Sequence, residues 1–155
     1  MWILKKWLLP VYRRVVGATK HKYLFVFEEL KDLGKVFVPL VNVGLWFENK
    51  GEYLDFQFIV DTGATASILP SFIAGQLGFE LTDLPEVEMA GVEGTGVKSW
   101  LARIKMRLED WEFEAPCFFV DNPNVPFLLG RAGVLDPEFS LLIDSKKKEL
   151  SLKEN

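Results

Sequence analysis

The most informative segment of this chain is Phe56-Gln57-Phe58-Ile59-Val60-Asp61-Thr62-Gly63-Ala64. Its first five residues are almost all apolar, which predicts a strand that ends at Val60. A carboxylate, a hydroxyl and a residue without a side chain then follow in order. Glycine allows the backbone to turn sharply and allows a second backbone to approach closely. Asp and Gly are also the commonest turn residues, so the tripeptide by itself fits both a reactive site and an ordinary turn.

Two further segments of similar interest lie downstream in the sequence. Phe127-Leu128-Leu129-Gly130-Arg131 is an apolar run followed by glycine, and Met89 to Val97 contains three glycines. Together with the Asp-Thr-Gly-Ala segment they resemble, in the same order, three segments of the single-domain retropepsin-like aspartic proteases. The resemblance covers roughly residues 36–153. It implies an all-β fold, namely a closed retropepsin-like β-barrel with a glycine-rich flap hairpin and one or two short helices.

The same resemblance implies a role for each residue of the Asp-Thr-Gly-Ala turn. Asp61 is expected to be the catalytic carboxylate of a peptide hydrolase. Thr62 is expected to bond across a two-fold axis, and Gly63 to let two such turns approach each other. Ala64, with its small side chain, is expected to lie beside the substrate.

Two other segments complete the implied site. Leu128, Leu129 and Gly130 are expected to pass beside the catalytic turn, where a side chain at 130 would collide with it, and to lead into a short helix. The flap is expected to fold over an extended peptide and consists of Gly91, Val92, Glu93, Gly94, Thr95 and Gly96. Apolar subsites are expected to be lined by residues such as Val92, Leu69 and Phe127. Glu93 adds a charge to a flap tip that is often neutral, which leaves the substrate preference open.

Peptide hydrolysis by acid and base needs two groups, one that takes a proton from water and one that polarises the scissile carbonyl. The chain contains a single Asp-Thr-Gly, and Asp144-Ser145-Lys146 lacks the glycine of a second copy. The second carboxylate must then come from a second molecule across a two-fold axis. We therefore expect an aspartic endopeptidase that acts as a homodimer on a peptide or protein substrate. The alternative is a non-catalytic module of the same fold that binds peptides or dimerises.

Length and composition limit the remaining possibilities. With 155 residues, of which 49% are apolar, the chain can bury one core and is too short for two ordinary domains. Cys117 is the only cysteine and His21 the only histidine, so no disulfide and no His/Cys metal set is expected. Cys117 lies in an apolar run and is predicted to be a small buried residue. The expected cofactor is none, and the expected metal is none.

The charge is distributed unevenly along the chain. Residues 1–22 carry six basic residues and no acidic ones, while residues 23–155 have a net charge of −10. An acidic body argues against nucleic acid as a partner, since phosphate binding relies on clustered Lys and Arg. We predict a segment at 1–35 and a protease domain at 36–155. The segment fits an anchor to an anionic membrane surface through residues 1–22, a removable leader, a strand packed on the domain, or the functional part of a membrane-tethered interaction protein. The expected location is the cytoplasm, with membrane association as an open alternative.

Turn signals divide the predicted domain into short elements. Strands are expected at 36–47, 53–60, 86–92, 97–108, 111–120 and 126–129, and a terminal hairpin at 139–152. A short helix is expected to begin at Ser71 and to end at Gly78.

Overall fold

Short apolar runs separated by turn residues give this chain a fold that is almost entirely β. A computed structural model describes residues 20–90, 96–136 and 138–155, so most of the predicted flap and of the basic N-terminal segment lies outside the described residues. Strands account for 62% of the structure and helices for 8%, which confirms the all-β class. The strands are β1 (Lys20–Leu24), β2 (Val26–Leu30), β3 (Gly34–Val38), β4 (Leu40–Phe47), β5 (Glu52–Val60), β6 (Ser67–Pro70), β7 (Glu86–Ala90), β8 (Gly96–Leu108), β9 (Trp111–Val120), β10 (Leu128–Leu129), β11 (Phe139–Asp144) and β12 (Glu149–Glu154).

Six strands close into the predicted barrel. Their order is β4-β5-β10-β6-β9-β8, and β8 returns to pair with β4 through Gly44 opposite Arg107 and Leu45 opposite Met106. The seventh strand of this sheet, β7, lies outside the ring and pairs antiparallel with β8. Closure matters because a closed sheet leaves few unpaired backbone groups at its edges. The closed β-barrel expected from the sequence is confirmed.

The barrel interior is filled by one side chain in two from each long strand. Val41, Val43 and Leu45 of β4 are each 0–1% exposed, as the alternating pattern of a strand requires. On β8 and β9 the same alternation buries further residues of the core: Ile104, Met106, Leu108, Ala115, Cys117 and Phe119. Cys117 is therefore the small buried residue that the sequence predicts, and burial raises the pKa of its thiol. A thiol that stays protonated is a poor nucleophile.

A second sheet packs at one side of the barrel and joins the two ends of the described chain. Its order is β1-β12-β11, and β1 pairs antiparallel with β12 along its whole length. We name it the terminal sheet. Phe139 of β11 contacts the rings of Trp111 and Phe113 on β9, so the sheet is attached to the barrel by aromatic packing. The remaining strands, β2 and β3, form a separate hairpin in which every residue of β2 is exposed.

Two short 3-10 helices, at Ser71–Leu77 and Leu81–Asp83, follow the Asp-Thr-Gly-Ala turn in the sequence. The first begins and ends where the sequence predicts, and Gly78 terminates it in the left-handed conformation, with φ of 86°.

The prediction of a short helix after Gly130 is wrong. Residues 131–136 form tight turns, because Gly133 takes a φ of 71° that ends any helical run. Among the described residues, no helix has the length and apolar character needed to cross a membrane.

Candidate active site

The carboxylate of the Asp-Thr-Gly turn stands at the end of β5. The backbone N–H of Asp61 donates to the carbonyl oxygen of Leu129 at 3.0 Å, which attaches the start of the turn to β10. Strand β10 runs parallel to β5, with Leu129 opposite Val60, and antiparallel to β6, with Leu128 opposite Ile68. The turn is therefore attached to β10, the short segment that was expected from the sequence to pass beside it.

The turn itself is closed by its own carboxylate. The N–H of Gly63 donates to Asp61 Oδ1 at 2.8 Å, and the N–H of Ala64 donates to the carbonyl oxygen of Asp61 at 3.2 Å. A Cβ at position 63 would lie 3.1 Å from Asp61 Oδ1, closer than most such contacts. Glycine thus allows the Asp61 carboxylate to accept the backbone N–H. This hydrogen bond fixes the direction in which the second carboxylate oxygen points.

Gly130 crosses directly against the far side of this turn. A Cβ there would collide with the carbonyl group of Ala66 and would lie 2.8 Å from the backbone nitrogen of Ser67. The hydroxyl of Ser67 accepts a hydrogen bond from the N–H of Gly130 at 3.1 Å, and Ser67 is fully buried. Sequence reasoning missed Ser67. Its signal is a hydroxyl residue at the first position of a buried strand, where a polar atom needs a partner.

Two more backbone hydrogen bonds fasten the turn to the segment after Gly130. The N–H of Arg131 donates to the carbonyl oxygen of Ala64 at 3.0 Å, and that of Ala132 donates to the carbonyl oxygen of Thr65 at 2.8 Å. Residues 61–67 and 128–132 therefore form one hydrogen-bonded unit at the rim of the barrel. A rigid rim is what an active-site carboxylate needs, because misplacement by about 1 Å can cost a large factor in rate.

The exposed side of the turn opens into a groove of ≈ 430 Å³. Its wall is mostly apolar and contains no charged side chain: Gly63, Ala64, Thr65, Ala66, Ile68, Met89, Ala90 and Phe118. The expectation that Leu69 lines a subsite is wrong, because its side chain is 0% exposed and faces the core. Neighbouring residues of a strand point to opposite faces, so Ile68 takes that position. Phe127 packs its ring against Phe56 and Phe58.

The remaining predicted residues fall into two groups. Thr62 and Gly63 are exposed and Asp61 is half-buried, and no other described residue forms a hydrogen bond with the Thr62 hydroxyl.

Of the predicted flap, residues 91–95, including Val92 and Glu93, lie outside the described residues. Gly96 is exposed at the start of β8, opposite Ala90 at the end of β7. Strands β7 and β8 therefore pair up to the two residues that flank this segment, and Met89 and Ala90 of β7 line the groove.

A family model described as aspartyl protease matches residues 46–132, from the end of β4 to the turns after β10. The chain belongs to the aspartyl protease family. The match contains the whole hydrogen-bonded unit at the rim of the barrel and the lining of the groove.

One solved structure supports the retropepsin-like fold of this aspartyl protease family member. The crystal structure of a retropepsin-like aspartic protease from Rickettsia conorii is similar, with a TM-score of 0.59 and 22% identity over 89% of this chain and 94% of that chain. The EIAV protease complexed with the inhibitor HBY-793 is a weaker match, with a TM-score of 0.44 and 20% identity over 61% of this chain and 82% of that chain. No curated protein sequence matches the chain.

Proposed function

We propose that this protein is an aspartic endopeptidase in which the Asp61 carboxylates of two identical chains activate a water molecule. One observation carries the proposal. The half-buried carboxylate of Asp61 is held by the Gly63 N–H at the mouth of an apolar groove, in a chain that belongs to the aspartyl protease family. The carboxylate is thus fixed in direction, reachable by water and adjacent to a place where a peptide can lie.

The proposed site requires a second copy because one chain supplies only half of the chemistry. The sequence contains one Asp-Thr-Gly, and the turn that carries it is exposed at Thr62 and Gly63. In a symmetric dimer the same patch meets its own copy, so each Thr62 hydroxyl gains a partner across the axis. Gly63 adds no side chain to the contact, which lets the two Asp61 carboxylates approach.

The reaction follows from two carboxyl groups that share one proton. Aspartic proteases are the standard example of this behaviour, and we apply it here. The ionised carboxylate takes a proton from water while the protonated partner donates its proton to the carbonyl oxygen of the peptide bond. The water oxygen bonds to the carbonyl carbon and gives a neutral tetrahedral diol. The carboxyl group that took the water proton then gives it to the peptide nitrogen, and the other carboxylate takes a proton from one hydroxyl of the diol. The C–N bond breaks, a carboxylic acid and an amine leave, and the pair again holds one proton.

Two further assignments belong to this proposal. The flap comprises residues 91–95 with their flanks on β7 and β8, and it folds over an extended peptide and excludes water. The basic N-terminal segment directs the enzyme to an anionic membrane surface and takes no part in the chemistry. Lys20 and Lys22 lie in β1, so the membrane assignment depends on Lys5, Lys6, Arg13 and Arg14 with Trp2 and Trp7.

The deciding experiment compares Asp61→Asn with Asp83→Asn. Asparagine keeps the shape of the side chain but cannot take a proton from water, so we expect cleavage of an unfolded polypeptide to fall at least about 100-fold in Asp61→Asn. Asp83 is exposed on the second 3-10 helix, and its variant should cleave like the wild type. An aspartic protease inhibitor should abolish cleavage by the wild type. Peptide binding without cleavage in the wild type would instead identify a non-catalytic module.

The dimer is tested separately by dilution. Specific activity should fall as the protein is diluted through the range in which sizing shows dissociation to monomers. Activity strictly proportional to concentration in samples that contain only monomers would contradict the shared site.

A further inference from the structure

A second group of reactive side chains lies away from the groove, where β1 and β12 meet the turn between β8 and β9. His21 Nε2 lies 3.1 Å from Glu154 Oε1, and Asp110 brings a third donor. One nitrogen and two carboxylate oxygens from these residues all lie within 4.8 Å of one another. The three residues belong to three different elements, and none of them lines the groove beside Asp61.

The fold supports each of the three donors independently. His21 and Glu154 lie on the same face of the paired strands β1 and β12, since His21 is opposite Leu152 and Glu154 is two residues further along. Asp110 is in the tight turn between β8 and β9, where Glu109 takes a positive φ of 55°. Tyr23, also on β1, donates its hydroxyl to Glu109 Oε1 at 3.2 Å, which holds this turn against the terminal sheet.

The surroundings of the cluster are negatively charged and poorly compensated. Within the part of the chain that the structure describes, no lysine or arginine forms an ion pair with Glu109, Asp110 or Glu154. Lys22 pairs instead with Glu149. A cation placed among these groups would be stabilised electrostatically.

We propose that His21, Asp110 and Glu154 form a binding site for a divalent transition-metal ion such as Zn²⁺. Metal–ligand bonds of about 2.1 Å separate neighbouring ligand atoms by roughly 3 Å, close to the distance between His21 Nε2 and Glu154 Oε1. Asp110 is exposed, so a small change of its rotamer brings its oxygen in, and water can complete the coordination. The side chains of His21 and Glu154 are 7% and 13% exposed, which shields one side of the ion.

The donor set decides the class of cation. Ca²⁺ and Mg²⁺ take oxygen ligands, whereas imidazole favours Zn²⁺, Cu²⁺, Ni²⁺ and related ions. The count of one histidine and one cysteine in the sequence gave no reason to expect a metal, because the carboxylate ligands are far apart along the chain. An ion at this position joins the first described strand, the last strand and the barrel in one unit. Its role is to fasten the terminal sheet, separate from the proposed peptide hydrolysis.

The test uses the full chain without a polyhistidine tag, first stripped of metal by a chelator. Isothermal titration with ZnCl₂ and the shift of the thermal unfolding midpoint are measured for the wild type and for Asp110→Asn. Asp110 is exposed, so its variant should fold normally and keep the hydrogen bond between His21 and Glu154. Loss of a partner that only supports a metal ligand costs 10- to 100-fold in affinity, so loss of a direct ligand should weaken Zn²⁺ binding at least about tenfold.

Controls separate this site from weak binding elsewhere. Asp83→Asn should bind Zn²⁺ like the wild type, and CaCl₂ should give no comparable shift. Co²⁺ should give a visible absorption band in the wild type that disappears in His21→Gln. The proposal is overturned if Zn²⁺ does not bind the wild type at one site, or if Asp110→Asn binds it with unchanged affinity.

Discussion

The barrel and the terminal sheet are stabilised by different kinds of contact. Each barrel strand pairs on both sides, and the interior is sealed by fully buried side chains such as Phe58 and Phe119. The terminal sheet has two outer strands, β1 and β11, and a polar pair, His21 with Glu154, close to its contact with the barrel. The barrel is therefore expected to lose stability when a side chain is inserted where two of its backbone segments lie in close contact. The terminal sheet should respond to the loss of a strand, to metal and to acid.

The largest loss of stability is expected from Gly130→Ala. The added methyl group would collide with the backbone at Ala66 and Ser67, which cannot yield without moving the turn that carries Asp61. We expect the free energy of unfolding to fall by about 3 kcal/mol, measured by urea denaturation.

Gly75→Ala is the matched control for this substitution. A Cβ at Gly75, in the first 3-10 helix, meets no heavy atom within 4 Å, so this variant should be as stable as the wild type or slightly more stable. Equal losses in the two variants would show that the close approach at Gly130 does not limit the barrel.

The second prediction separates the terminal sheet from the segment before it. Deleting residues 1–24 removes β1, which leaves the edge of β12 unpaired and withdraws Tyr23 and His21 from their contacts. We expect this deletion to lower the free energy of unfolding by about 2 kcal/mol or more. Deleting residues 1–19 should leave it unchanged but should weaken binding to anionic vesicles. Equal stability of the two truncated proteins would mean that β1 adds nothing to the fold.

The strands of the barrel were predicted well because each carries a strong local signal, the alternation of apolar and polar residues. The closure of these strands into a barrel was implied by the resemblance of the segments around Asp61, Gly91 to Gly96 and Gly130 to the retropepsin-like proteases. Local signals fail where the answer depends on a distant partner. Lys20–Leu24 reads as part of a basic segment, and only its pairing with β12 makes it a strand.

The groove was harder to predict than the Asp61-Thr62-Gly63 turn for the same reason. Choosing Leu69 instead of Ile68 was an error of one residue, and one residue reverses the face of a strand. Met89 and Phe118 come from strands that are distant in sequence, so neither carried a local signal.

The smallest effect is expected at the turn between β11 and β12. Hydrogen bonds from the backbone N–H groups of Lys147 and Lys146 lower the pKa of Asp144 below its usual 3.8. A carboxyl group whose pKa is lower in the folded state stabilises the fold above its unfolded pKa. That contribution is lost as the pH falls through the folded pKa.

Asp144→Asn should therefore be slightly less stable than the wild type at neutral pH and equal to it in strong acid. Urea denaturation at several pH values measures this difference, with Asp32→Asn as the control in the exposed hairpin turn. A difference between the wild type and Asp144→Asn that does not change with pH would exclude the charge as its cause.

The contact between β4 and β8 has a consequence for the order of folding. It consists of Gly44 opposite Arg107 and Leu45 opposite Met106, which are separated by most of the barrel's sequence. Bringing such distant residues together lowers the entropy of the chain, and this loss precedes the stabilisation that the new contacts provide. The hairpins β4–β5 and β8–β9 can form locally, whereas the seam between β4 and β8 must wait for β5, β6, β9 and β10 to associate. The seam therefore forms late, and until it closes the nascent chain exposes two unpaired strand edges that can capture another molecule.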